Sequence, residues 1–308
     1  MLCRAALLSV AIGVTSCAAA PGSNRPQPQC DAAAGVALGS VNSGGFDGSP
    51  TVSADETELL FTSNRTGQQD IFVARRANSS AQWGEPANIG PDVNDAIGDD
   101  FSLRLSDDGR SLFFASTRNQ GAGTADLYVS TRESRQERWG RAINLGPPLN
   151  TDAFEAFPTP SADGRTLYFN RSTSFDSDDS DLWVSTRTGS DAPWGEPSRL
   201  RGSVNSERAE FSPSLSIDGH TMWFASARRG SIELWVSTRA STSVDWGAPV
   251  PLGPGVNVPR SMTLAPFVSH DGRALYFMSA RPAADASTCS PSTCFDRLDL
   301  YVARIECR

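Results

Sequence analysis

Four carboxylates and four arginines recur at fixed places in this chain, and such groups bind cations, hold anions or move protons. Asp47, Asp100, Glu155 and Glu210 each stand eight residues before a second acid, respectively Asp55, Asp108, Asp163 and Asp218; Thr263 holds the matching place before Asp271. Ten residues after the same aspartates stand Arg65, Arg118, Arg228 and Arg281, with Thr173 the exception. Gathered into one ring, the carboxylates form a candidate site for a cation, a polyol or a basic peptide, and the arginines are candidates for the same rim. The arginines can instead neutralise that ring, or pair with Asp70, Asp126, Asp181, Glu233 and Asp299, because guanidinium binds carboxylate bidentately. A pair repeated in nearly every copy is what a structural role predicts.

Residues that break the pattern are a second source of chemistry. Asp176, Asp178, Asp179 and Asp181 crowd one loop and are weak candidate calcium ligands. The EF-hand frame fails there, with Asp181 where glycine is needed and Arg187 where the bidentate glutamate belongs. A solvated acidic loop is the competing reading, and no other cofactor is expected. The two histidines, His220 and His270, flank the turn aspartates and are expected on the face opposite the carboxylate ring. No residue is assigned a catalytic role: the ring acids are equivalent by repeat, whereas glycoside cleavage needs two unlike groups. All 27 basic residues are arginine, which excludes lysine Schiff-base chemistry and a lysine-bearing P-loop. The 35 acids leave a net charge of −8, against a nucleic-acid binder.

These groups are carried by a unit written five times. Trp-Gly pairs begin at Trp83, Trp139, Trp194 and Trp246, spaced by 56, 55 and 52 residues. The turn aspartates Asp55, Asp108, Asp163, Asp218 and Asp271 are spaced by 53, 55, 55 and 53. Each unit reads as four short strands: a Pro/Ser-rich one, an Asp-Gly turn, an aromatic one such as Leu167-Tyr-Phe169, one such as Leu182-Trp-Val184, and one after Trp-Gly. No segment shows a convincing helical period. The expectation is an all-β, five-bladed β-propeller of four-stranded antiparallel blades. The fifth unit ends before its Trp-Gly strand, and residues 34–42 read like the end of the missing one, so the N-terminal strand should close the ring.

Outside the ring, residues 1–16 have the layout of a signal peptide, and residues 17–29 read as a flexible tether, leaving 30–308 for the propeller. Val14-Thr15-Ser16-Cys17 resembles the bacterial lipobox, which implies cleavage before Cys17 and its lipidation, and places the protein in the cell envelope at the outer membrane. Four further cysteines allow three pairings, of which Cys30–Cys307 with Cys289–Cys294 is favoured. A four-cysteine zinc site is the alternative, at unsuitable spacing.

The units, with Ser-x-Asp-Gly, then Leu-Tyr-Phe, Asp-Leu-Tyr-Val and Trp-Gly-x-Pro, resemble the WD-like, TolB-type β-propeller repeat of bacterial envelope proteins over residues 34–307. The resemblance implies a repeat that is mostly structural. TolB itself has a further N-terminal domain and six blades, which sets a literal TolB role in doubt. The expected function is therefore a non-enzymatic, lipid-anchored monomer that binds an envelope protein or glycan through its upper loops and touches the membrane through its anchor alone. The alternatives are a glycoside hydrolase or lyase using the channel carboxylates, and a structural spacer.

Overall fold

The computed structural model describes residues 30–307 apart from 120, 176 and 281–296. The signal, the tether, Cys17, Cys289 and Cys294, Arg281 and Asp176 therefore lie outside the described residues. The chain opens with β1 (Cys30–Ala32) and β2 (Val36–Ala37). Blade one is β3 (Asp47–Val52), β4 (Glu58–Ser63), β5 (Asp70–Arg75) and β6 (Ala87–Asn88). Blade two is β7 (Asp100–Leu105), β8 (Ser111–Ser116), β9 (Asp126–Thr131) and β10 (Ile143–Asn144). Blade three is β11 (Phe154–Pro160), β12 (Thr166–Ser172), β13 (Asp181–Thr186) and β14 (Ser198–Arg199). Blade four is β15 (Glu210–Leu215), β16 (Thr221–Ser226), β17 (Glu233–Thr238) and β18 (Val250–Pro251). Blade five is β19 (Met262–Val268), β20 (Ala274–Ala280) and β21 (Asp299–Cys307), with β1 and β2 both paired to β21. The expected closure by the N-terminal strand is thus observed, with Cys30 opposite Cys307 in register. Among the described residues there is no helix.

Each blade turns on the same hydrogen-bonded box. Ser53, Ser106, Ser161, Ser216 and Ser269 donate their hydroxyls to Asp55, Asp108, Asp163, Asp218 and Asp271 at 2.6–2.8 Å. The same hydroxyls accept the amide that starts the next strand, at 2.9–3.0 Å. The turn closes in the left-handed region, so glycine follows the aspartate in blades two to five, with Glu56 at φ 56° in blade one. The serine hydroxyl is the largest influence holding the Asp163, Asp218 and Asp271 carboxyls below their ordinary range. A lowered folded pKa gives stability that is present above the unfolded value, near 4, and lost as pH falls below it. The thermal midpoint is therefore expected to drop on acidification below about pH 4, and Asp163→Asn to flatten that slope; an unchanged slope in thermal scans refutes this.

Two further repeated devices hold the blades. Phe61, Phe114, Phe169, Phe224 and Phe277 occupy one position of the second strands and are fully buried. Side-chain amides of Asn42, Asn94, Asn150, Asn205 and Asn257 each accept a backbone N–H and donate to the C=O of one third-strand residue, at Leu300, Ile71, Leu127, Leu182 and Leu234. In blades one to four the clip spans 23 residues of sequence; Asn42 to Leu300 spans 258 and completes the ring.

Candidate functional site

At the upper rim the repeated acids are paired. Asp47, Asp100, Glu155 and Glu210 have no exposed side-chain surface, and each meets an arginine: Arg65 at 2.8 Å, Arg118 at 2.5 Å, Arg171 at 2.8 Å and Arg228 at 3.1 Å. Arg171 stands two residues before Thr173, and supplies blade three with the cation that Thr173 lacks. The acids also accept hydrogen bonds from the loop above them, as from Ser43 to Asp47 and from Asp95 to Asp100. Burial pushes the Asp100 and Glu155 carboxyls upward against the pull of their arginines. In blade five, Thr263 bonds Ser279 instead, at 3.1 Å. Removing one partner strands the other charge in the interior. Arg118→Ala is expected to cost about 3 kcal/mol in denaturant unfolding, and a change under about 1 kcal/mol would mean the pair is dispensable.

Four more arginines are structural as well. Arg76, Arg132, Arg187 and Arg239 lie 4.0–4.2 Å over the rings of Trp83, Trp139, Trp194 and Trp246. The Trp-Gly tryptophans are therefore blade core capped by cations. The acidic loop of blade three is dispersed: Asp181 pairs with Arg199 at 2.5 Å, Asp178 reaches Arg208 at 3.7 Å, and Asp179 accepts from Thr173 and Ser177. Among the described residues no three His, Cys, Asp or Glu side chains are grouped to hold a metal.

The opposite face holds a different constellation. Every innermost strand carries a bulge, with positive φ at Ser49, Ser102, Phe157, Ser212 and Ala265. The bulges crowd the centre and leave there a cavity of about 10 Å³. Below it the channel widens toward the turns into a funnel of about 100 Å³. Two places in the repeat supply part of the funnel's lining, the first in four blades and the second in three. Immediately before the turn aspartate stand Ala54, Asp107, Ala162, Ile217 and His270. Four residues before it stand Thr51, Arg104, Thr159, Ser214 and Phe267. Blades two and five therefore put an acid and an imidazole at one level of the rim, with Ala54 of blade one between them, and Arg104 lies at the floor.

These three groups sense each other. Desolvation by the surrounding turns raises the Asp107 carboxyl, while the charges of His270 and Arg104 oppose that rise. Arg104 reaches across the channel and donates from Nη2 to the carbonyls of Pro213 at 3.2 Å and Pro266 at 3.0 Å. Its guanidinium lies 5.0 Å from the Phe267 ring centre, and burial lowers its pKa to about 9. An acid, a base and a cation that differ between blades can divide the roles of proton donor, proton acceptor and charge stabiliser. Sequence reasoning put His270 on this face and discounted it, because the acids under consideration were on the other. Arg104 and Asp107 carried a legible signal, namely departure from the repeat at two positions.

An α-L-arabinofuranosidase from Podospora anserina, solved with cellotriose, gives a TM-score of 0.59 at 10% identity, covering 91% of this chain and 97% of that one. For an α-L-arabinofuranosidase from Lactobacillus brevis the values are 0.57, 14%, 87% and 93%. A putative TolB from Agrobacterium tumefaciens is also similar, at 0.45, 15%, 85% and 80%. At these identities the likeness is one of fold. No protein-family model matches the sequence, and no curated protein matches it.

The expectation of a non-enzymatic binding module is overturned. Solved structures of similar fold include several glycoside hydrolases, a family-43 enzyme and an endo-arabinanase among them. The physical objection to catalysis was the equivalence of the rim acids. Asp107 and His270 remove it, because they are unlike groups at equivalent places.

Proposed function

We propose that the protein is a glycan-cleaving enzyme, a glycoside hydrolase or lyase, working at the turn-face funnel. The observation that carries this reading is the non-repeating set of Arg104, Asp107 and His270 around one cavity of a ring otherwise built from repeats. Asp107 is the proton donor to the leaving oxygen, and its raised carboxyl suits that role. His270 is the base, because its imidazole lines the same funnel as Asp107. The glycoside hydrolase folds support the choice of substrate class. Incubation with a broad glycan panel, read by the release of reducing or unsaturated ends, tests it; inactivity on every glycan sinks the reading.

Two further parts of the reading concern the chain ends. The antiparallel register of Cys30 with Cys307 supports a disulfide across the seam. The lipobox-like sequence before Cys17 supports a lipid anchor in the envelope. Cys17→Ala is expected to move the protein from the membrane to the soluble fraction on cell fractionation; continued membrane retention refutes the anchor.

A further inference from the structure

We propose that the funnel takes a carboxylated sugar, held by Arg104 through its carboxylate, and that the glycan is cut by β-elimination; this rests on the reading of the protein as a glycan-cleaving enzyme. Arg104 differs from the ion-paired arginines of the ring. Arg132, the most buried of the ion-paired ones, meets Glu58 at 2.5 Å, and the rim arginines each have their acid. Arg104 has no acid within ion-pair distance among the described residues, and its Nε is sealed from solvent with no acceptor. A half-buried guanidinium without a counter-charge is costly on its own, and a carboxylate meeting its open edge supplies that charge. The side chain lines the funnel from its floor, so a ligand entering from the turn face reaches it. Trp223, Phe267 and Leu215 give that funnel apolar walls suited to a sugar ring.

Elimination uses all three groups. The hydrogen on the carbon beside a carboxylate becomes removable when the developing negative charge is stabilised, which is the work of Arg104. His270 takes that proton. The electrons of the broken C–H bond form a carbon–carbon double bond to the neighbouring carbon. The glycosidic C–O bond of that carbon breaks, its electron pair leaves with the oxygen, and the oxygen takes the proton of Asp107. No water is consumed; His270 then returns its proton to solvent and Asp107 regains one. A hydrolase using the same pair needs no cation at the floor.

Polygalacturonate, alginate and hyaluronate are the probes, each beside its carboxyl-reduced counterpart, with the full exported chain as enzyme. The expected result is cleavage of at least one polyuronate with an ultraviolet-absorbing unsaturated end, and no cleavage of its reduced form. Cleavage of neutral glycans or reduced forms without unsaturated ends overturns the inference and leaves the glycan-cleaving reading standing. Inactivity on every glycan overturns both. Arg104→Gln is expected to raise KM for the polyuronate at least 10-fold, and Arg104→Lys to retain part of the affinity; an unchanged KM in Arg104→Gln refutes the anchor. If Arg104→Gln does not fold, calorimetric binding of a uronate trisaccharide to His270→Ala decides, beside the same variant carrying Arg104→Lys. Equal affinity in the two, or no binding to the first, counts against the proposal.

Discussion

Asp107→Asn will lower kcat on a cleaved glycan by about 100-fold or more, and His270→Ala will do the same, with melting temperatures within a few degrees of the parent. The size follows from what a positioned acid or base contributes, roughly 100- to 10,000-fold. The unchanged stability follows from the structure. Both residues are exposed at the rim, the Asp107 carboxyl being only partly shielded by the turns, and neither side chain makes a hydrogen bond within the described protein. Their neighbours in the repeat, Ala54, Ala162 and Ile217, show that the turn forms without an ionisable group there. The two variants together should lose little more than either alone, since groups that act on one transition state are not additive. Full activity in either single variant removes that residue from the mechanism. By contrast, Glu155→Gln and Glu210→Gln should change unfolding midpoints and leave kcat near the parent value, because both acids are tied to their rim arginines.

Cys30→Ser will lower the unfolding free energy by about 4–5 kcal/mol under non-reducing conditions, a midpoint shift on the order of 10 °C. A cross-link stabilises by restricting the unfolded chain, and the effect grows with the loop it closes. Cys30 and Cys307 bracket nearly the whole ring, in register on adjacent strands. Cys307→Ser should match it, and the double substitution should cost no more than either single one. Thermal scans with and without reductant give the check. A parent whose midpoint is insensitive to reductant has no such bridge.

The ring was open to sequence reasoning because its devices are local and repeated. Ser-x-Asp-Gly writes a turn box, Trp-Gly a blade edge, and Val-Asn a clip, each within about one unit of its partner. The rim pairs were half legible. Glu155 was placed, yet its partner Arg171 sits in another frame of the repeat, which a fixed offset of ten residues cannot find. The funnel was not legible, for a geometric reason. Arg104 and His270 belong to blades two and five, far apart in sequence, and only a closed ring brings their strands to one axis. Repetition draws attention to what is shared, whereas the funnel is built from what is not: threonine, serine or phenylalanine replaced by arginine, alanine or isoleucine replaced by an acid and an imidazole.

Closure by Asn42 and Leu300 also fixes the order in which this protein can mature. Strands β1 and β2 precede all the blades along the chain, yet their partner β21 follows them all. Blades one to four each contain all their own partners and can form as the chain emerges. Blade five cannot, and until β21 arrives the nascent ring presents an open strand edge at its seam. A chain whose synthesis stalls before β21 therefore leaves β1 and β2 without their partner, and a helper that shields strand edges is of most use to this protein until β21 has been made.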